Sequence, residues 1–60
     1  MWYIVRVEDG WNRQIIDETG VPNRYGKPKL FKRKKDAQAW VDKKSYAYMT
    51  HHYEIKKWED

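Results

Sequence analysis

Cysteine is absent from this 60-residue chain, so no disulfide braces it and no thiolate is available for zinc. Glycine and proline are scarce. Of the five, Gly20, Pro22, Gly26 and Pro28 all fall within residues 18–28 together with Asn23, which marks that stretch as a loop. No apolar run approaches the roughly 20 residues that a membrane-spanning helix needs. Met1-Trp2-Tyr3-Ile4-Val5 is too short for a signal peptide, lacks a basic start and leads into Arg6. The expectation is a cytoplasmic protein with no membrane partner. Apart from tyrosine, Thr19, Ser45 and Thr50 are the only hydroxyl residues, and none stands in a recognisable pattern with a base and an orienting group. Gly10, Gly20 and Gly26 make turns rather than a phosphate-binding glycine-rich loop. His51 and His52 are neighbours, which on a strand point to opposite faces; Glu54 is the nearest third ligand. Catalytic residues, a metal site and cofactors are therefore not expected, and the chain is read as a binding protein rather than an enzyme.

What the chain does have is aromatic side chains and a concentrated positive charge. Sixty residues make a single domain, residues 1–60, that buries only about 60% of its unfolded surface. Ten aromatic residues, four of them tryptophan, compensate for few aliphatics, because each buries on the order of 150–250 Å².

Alternation predicts a first strand over Trp2–Val7, with Tyr3, Val5 and Val7 on one face and Trp2, Ile4 and Arg6 on the other. Both faces are partly apolar, as in a central strand. Asp9-Gly10 is a hairpin turn signal, and Arg13–Ile16 pairs back as a short second strand. Lys29–Lys32 is expected as a third strand with Leu30 or Phe31 inward. Ala37, Trp40, Val41 and Lys44 fall at i, i+3, i+4 and i+7, which predicts a helix from Lys34 to about Ser45. Tyr48 continues that face if the helix extends. Lys44 is expected across the helix edge with its ammonium in water. Asp36 near the start and Lys43 and Lys44 near the end suit the helix dipole, whereas no Ser, Thr, Asp or Asn caps the start. Tyr46–His52 reads as a fraying helix end and a turn, and Tyr53–Trp58 as a last strand. The order β-β-β-α-β implies a small α+β fold with one helix packed on one face of a β-sheet. The expected core is Tyr3, Val5, Ala37, Trp40, Val41, Tyr53 and Ile55.

Seven of the twelve residues from Arg24 to Lys35 are basic and none is acidic. The other 48 hold six basic and nine acidic residues, so the whole net charge of +4 comes from this segment. A local cationic patch is the usual footprint of a phosphate-binding surface. Lys27, Lys29, Lys32, Arg33, Lys34 and Lys35 are expected to dock on phosphates. Arg24 and Tyr25, in the Asn23–Lys27 loop, are placed to reach a groove or an unpaired base. Tyr25 is read equally as a core cover. Trp11 is expected to pack on the core or its turn, with stacking on an unpaired base or wedging at a groove as its other reading. Arg33, Lys34 and Lys35 cluster at a helix start, where the dipole repels cations and a bound polyanion offsets that repulsion. The resulting function is a small nucleic-acid-binding domain, with DNA as the leading partner and RNA as the second. The alternatives are a protein-interaction module docking on an acidic protein surface, a strand-edge adaptor, and a solvated face with no direct role. The oligomeric state is left open.

The run Phe31-Lys32-Arg33-Lys34-Lys35-Asp36-Ala37-Gln38-Ala39-Trp40 resembles the Phe-x-Thr-Lys-x-Glu-Ala-x-x-Trp pattern of the arm-type, AP2-like DNA-binding domains of phage integrases. That resemblance implies a three-stranded sheet packed on a C-terminal helix, with the sheet laid in the DNA major groove and the sheet-face cations of Lys27 to Arg33 near the DNA. Arg33 stands where that family has a capping Thr or Ser. The Tyr53-Glu54-Ile55 strand after the helix is closer to the RNA–DNA-hybrid-binding domain found ahead of some ribonucleases H. Size and composition also resemble small phage or prophage proteins, a class that includes inhibitors of host enzymes.

Overall fold

A computed structural model describes residues 1–47 and 49–59. The elements are β1 (Trp2–Glu8), β2 (Asn12–Ile16), β3 (Pro22–Asn23), α1 (Lys34–Lys44) and β4 (His51–Lys57). They form one antiparallel sheet of order β3-β2-β1-β4 with a single helix on it. The expected α+β architecture and element order are thus present. The expected continuation of the helix face at Tyr48 lies outside the described residues.

β1 is central because both of its faces are apolar. It pairs with β2 through Val5 opposite Ile15, and with β4 along its whole length, Ile4 opposite Ile55. The β1–β2 reversal is made by Asp9 and Gly10, whose φ values are 56° and 78°. Positive φ at both centres is what a tight hairpin with right-handed strand twist requires. The Trp11 N–H donates to the Glu8 carbonyl across it at 3.3 Å.

The helix sits on the face opposite to the one expected. Ile4, Ile16 and Ala37 are fully buried together, and Trp2, Phe31, Trp40, Val41, Tyr53 and Ile55 pack around them. Tyr3 and Val5, expected beneath the helix, alternate to the other side. The two-residue period was readable; which of two apolar faces takes the helix was not. Ala37 is small, so the helix approaches the sheet closely there. Trp40 then meets Tyr53 edge-on, with centroids 5.4 Å apart, a contact worth about 0.5–1.5 kcal/mol beyond its buried area.

Val5 and Val7 are nonetheless buried on the helix-free face. Arg13 lies opposite Val7 and Glu54 opposite Val5, and the two form an ion pair that reaches from β2 across β1 to β4. The arginine stem and this pair cover the valines, as long charged side chains do when they lay methylenes on apolar surface. At one end of the same face Trp58 meets Tyr3 edge-on at 5.7 Å.

Two strand boundaries differ from expectation by more than one residue. The third strand is Pro22–Asn23, not Lys29–Lys32. Residues 28–31 instead make single bridges, Pro28 with Asp17 and Phe31 with Trp2. β2 has ended by then, which leaves the edge of β1 at Trp2 free for Phe31, and Pro28 has no N–H to extend a ladder. Phe31 turns inward and Leu30 outward. β4 begins at His51, two residues earlier than expected, so both histidines are in a strand rather than a turn. The helix runs Lys34–Lys44, as expected, and ends where the Ser45 N–H and Oγ–H both donate to the Val41 carbonyl at 2.9 and 2.8 Å.

Candidate nucleic-acid interface

The loop that carries Arg24 and Tyr25 is organised by Asp17. Its Oδ1 accepts from the Thr19 N–H at 2.9 Å, the Thr19 hydroxyl at 2.7 Å and the Val21 N–H at 3.1 Å, and its Oδ2 accepts from Asn23 Nδ2 at 3.4 Å. The Thr19 hydroxyl, then the Val21 amide, hold its pKa down at about 2, because each bond favours the charged form. Asp17 therefore fixes the turn that feeds β3, and β3 sets where residues 24 and 25 emerge. Asn23 Oδ1 accepts from the Tyr25 N–H at 3.0 Å. Arg24 Nη2 donates to Asn12 Oδ1 at 2.8 Å, which ties the loop to the hairpin end of β2.

The basic segment is continuous in sequence and divided in space. Asn12, which holds Arg24, pairs with Glu8 at one end of β1. Lys34 Nζ lies 5.5 Å from the centre of the Trp2 ring at the other end. Six residue steps separate Trp2 from Glu8, about 20 Å of strand. The structure brings Arg24 and Tyr25 together with Trp11, Asn12 and Arg13 around an open cleft of about 390 Å³. Lys29, Arg33 and Lys34 belong to the opposite end, with Phe31 and Trp2. There Lys29 Nζ is 5.8 Å from the Phe31 ring centre, and Arg33 Nε is 3.6 Å from Asp36 Oδ2. Lys27, Lys32 and Lys35 are exposed. None of the segment's cations is on a strand of the sheet face that the integrase resemblance would lay on DNA, since residues 27–33 are not in a strand.

Charge pairing separates this segment from the rest of the chain. Outside it, Arg6 pairs with Glu8, and Arg13 and Lys56 with Glu54, while Lys43, Lys44 and Lys57 have no carboxylate within 4.0 Å among the described residues. Inside it, only Arg33 has a carboxylate within 4.0 Å among the described residues. Arg24 bonds the neutral Asn12 amide, Lys29 and Lys34 lie over rings, and Lys27, Lys32 and Lys35 face solvent. The packing of Lys34 on Trp2 and of Lys29 on Phe31 also lessens the cost of gathering cations at the start of the helix.

Two features were not anticipated. Trp11, expected to pack, is 74% exposed, beside Tyr25, whose 90% exposure fits the loop-tip reading of that residue. The turn places Trp11 beyond the last paired row of β1 and β2, Glu8 with Asn12. The second is a polar network on the helix side of the sheet, past the helix. Arg6 Nη2 donates to Glu8 Oε2 at 3.0 Å and meets His51 Nδ1 at 3.4 Å, and Arg6 Nη1 donates to Gln14 Oε1 at 3.4 Å. Arginine has only donors, so His51 Nδ1 accepts in that contact, and His51 Nε2 lies 3.2 Å from the Tyr53 hydroxyl. Parity along β1 and β4 carried this signal, since Arg6, Glu8, His51 and Tyr53 alternate onto one face. On the other face Glu54 is held down at about 2 by hydrogen bonds from Arg13, then His52 and Lys56.

Compared with protein-family models, curated proteins and solved structures, the chain matches none.

Proposed function

We propose that this domain binds nucleic acid by docking the segment Arg24–Lys35 on phosphates. The observation that carries the reading is the density of unpaired charge: six of the segment's seven cations have no carboxylate partner among the described residues, against three of the six cations elsewhere. A stability role would pair these charges internally; a phosphate-binding role leaves them for the ligand, whose condensed counterions they release. The two groups of cations, spaced along β1, suit a linear polyanion better than a compact anion. Fluorescence anisotropy with a labelled oligonucleotide tests this. Engagement of about four phosphates predicts roughly fifty-fold weaker binding between about 50 and 200 mM salt. Salt-independent affinity, or none, sinks the proposal.

A second reading, a protein-interaction module, has one observation in its favour. β4 is an edge strand of seven residues, and its outer side has no strand partner among the described residues. An extended segment of another chain fits such an edge by main-chain pairing. Protection from amide exchange along His51–Lys57 on adding a protein partner, with no response to oligonucleotides, would favour it.

A further inference from the structure

Of the four tryptophans, three are engaged with the fold. Trp2 lies under Lys34, Trp40 meets Tyr53, and Trp58 meets Tyr3. Trp11 makes no ring–ring or cation–ring contact among the described residues, and neither does Tyr25. In a 60-residue chain that depends on aromatic burial, two large bare rings on one cleft are costly to leave in water. They come from different elements, the β1–β2 turn and the loop after β3, and are brought to one place by the Arg24–Asn12 hydrogen bond.

The polar groups at the cleft define what the rings face. Arg13 is already paired with Glu54 and forms a fixed wall. Arg24 bonds only a neutral amide oxygen, so its charge is uncompensated and further guanidinium donors remain for a ligand. No carboxylate among the described residues lines the cleft. Flat apolar faces beside one free guanidinium match a ligand with an aromatic ring and an attached anion. The cleft volume lies within the range of about 300–1,000 Å³ typical of small-ligand sites, ample for a nucleobase. A paired base in a duplex has its faces stacked on its neighbours and cannot offer them.

We infer that the cleft takes an unpaired base of a single-stranded nucleic acid, stacked on Trp11 and Tyr25, with Arg24 on the adjoining phosphate. This assignment rests on the nucleic-acid reading above and narrows it to single strands. DNA and RNA single strands share this chemistry, and the test has an arm for each.

Binding of labelled oligothymidylate, oligouridylate and a short DNA duplex is compared for the full chain and for Trp11→Ala, Trp11→Phe, Tyr25→Ala and Tyr25→Phe. Both rings are exposed, so all four variants are expected to fold, which circular dichroism and melting check directly. The expected result is tighter binding of a single strand than of duplex. Each alanine variant loses about ten-fold or more, and the phenylalanine variants recover most of the loss. A preference for oligothymidylate or oligouridylate names the source. Duplex binding equal to single-strand binding, with alanine variants unchanged, overturns the cleft and leaves phosphate docking standing. Absence of binding to all three probes overturns both, and the bare rings then belong to a protein interface.

Discussion

The two ends of β1 are built from the same ingredients and use them in opposite ways. At the Trp2 end, Trp2 and Phe31 are half-buried against the Ile4–Ile16–Ala37 core, and Lys34 and Lys29 lie over their rings. At the Glu8 end, Trp11 and Tyr25 are bare, and Arg24 beside them has no acidic partner among the described residues. Aromatic residues interleaved with cations therefore do not by themselves mark a binding surface. They mark one where the rings stay uncovered and the charge stays unpaired. At the first end the same mixture is spent on folding.

That contrast breaks most severely if the packed end proves dispensable. Ile4 is fully buried at the junction of sheet and helix, and Ile4→Ala should cost about 2–5 kcal/mol. In a domain this small that approaches the whole stability, so the variant should be unfolded or nearly so by circular dichroism. Phe31→Ala comes next, at about 3 kcal/mol and the low end of its class, because the ring is only partly covered. Its loss should lower the melting temperature well below that of the parent. At the open end, Trp11→Ala and Tyr25→Ala should change stability by no more than about 0.5 kcal/mol, while weakening oligonucleotide binding about ten-fold or more. Melting curves for the four variants test the contrast. A Trp11→Ala variant that melts like Phe31→Ala would show that the open end is structural after all.

Acid sharpens the comparison further. Asp17 and Glu54 both titrate at about 2 in the folded domain, against 3.8 and 4.5 ordinarily. Folded pKa values below the unfolded ones mean that each contributes stability above its ordinary pKa and loses it as pH falls from there toward about 2. The melting temperature should hold between pH 7 and about 5 and decline below about 4.5. Asp17→Asn should flatten part of that decline and speed amide exchange at Thr19 and Val21, whose N–H groups Asp17 holds. A melting temperature with no dependence between pH 5 and 2 contradicts the hydrogen-bond geometry of both carboxylates.

Much of the fold was legible from local chemistry. Asp9-Gly10 announced the hairpin, the Ala37–Trp40–Val41 spacing announced the helix and the face it buries, and Tyr53–Ile55 announced the final strand. What failed did so where two physical solutions were nearly equal. β1 is apolar on both faces, so alternation did not choose between Ile4 and Val5 for the helix side. Covering Val5 and Val7 by the Arg13–Glu54 pair depends on register between strands 41 residues apart, which no local pattern contains. Lys29–Lys32 alternates like a strand, yet Pro22–Asn23 reaches β2 first through the turn that Asp17 closes. The candidate cleft was half legible. Tyr25 and Arg24 stood out by composition and loop position, whereas Trp11 and Arg13 join them only through the Arg24–Asn12 bond. The division of the basic segment along β1 was hidden for the same reason.

The most direct test of the account is an NMR titration with a short single-stranded oligonucleotide, following the four tryptophan indole N–H signals and the backbone amides together. The account predicts that the Trp11 indole and the amides of residues 11–13 and 24–35 shift, that the shifts reverse as salt is raised, and that the Trp40 indole and the edge of β4 stay in place. Shifts confined to His51–Lys57, or a Trp11 indole unmoved while oligonucleotide binds elsewhere, would contradict it.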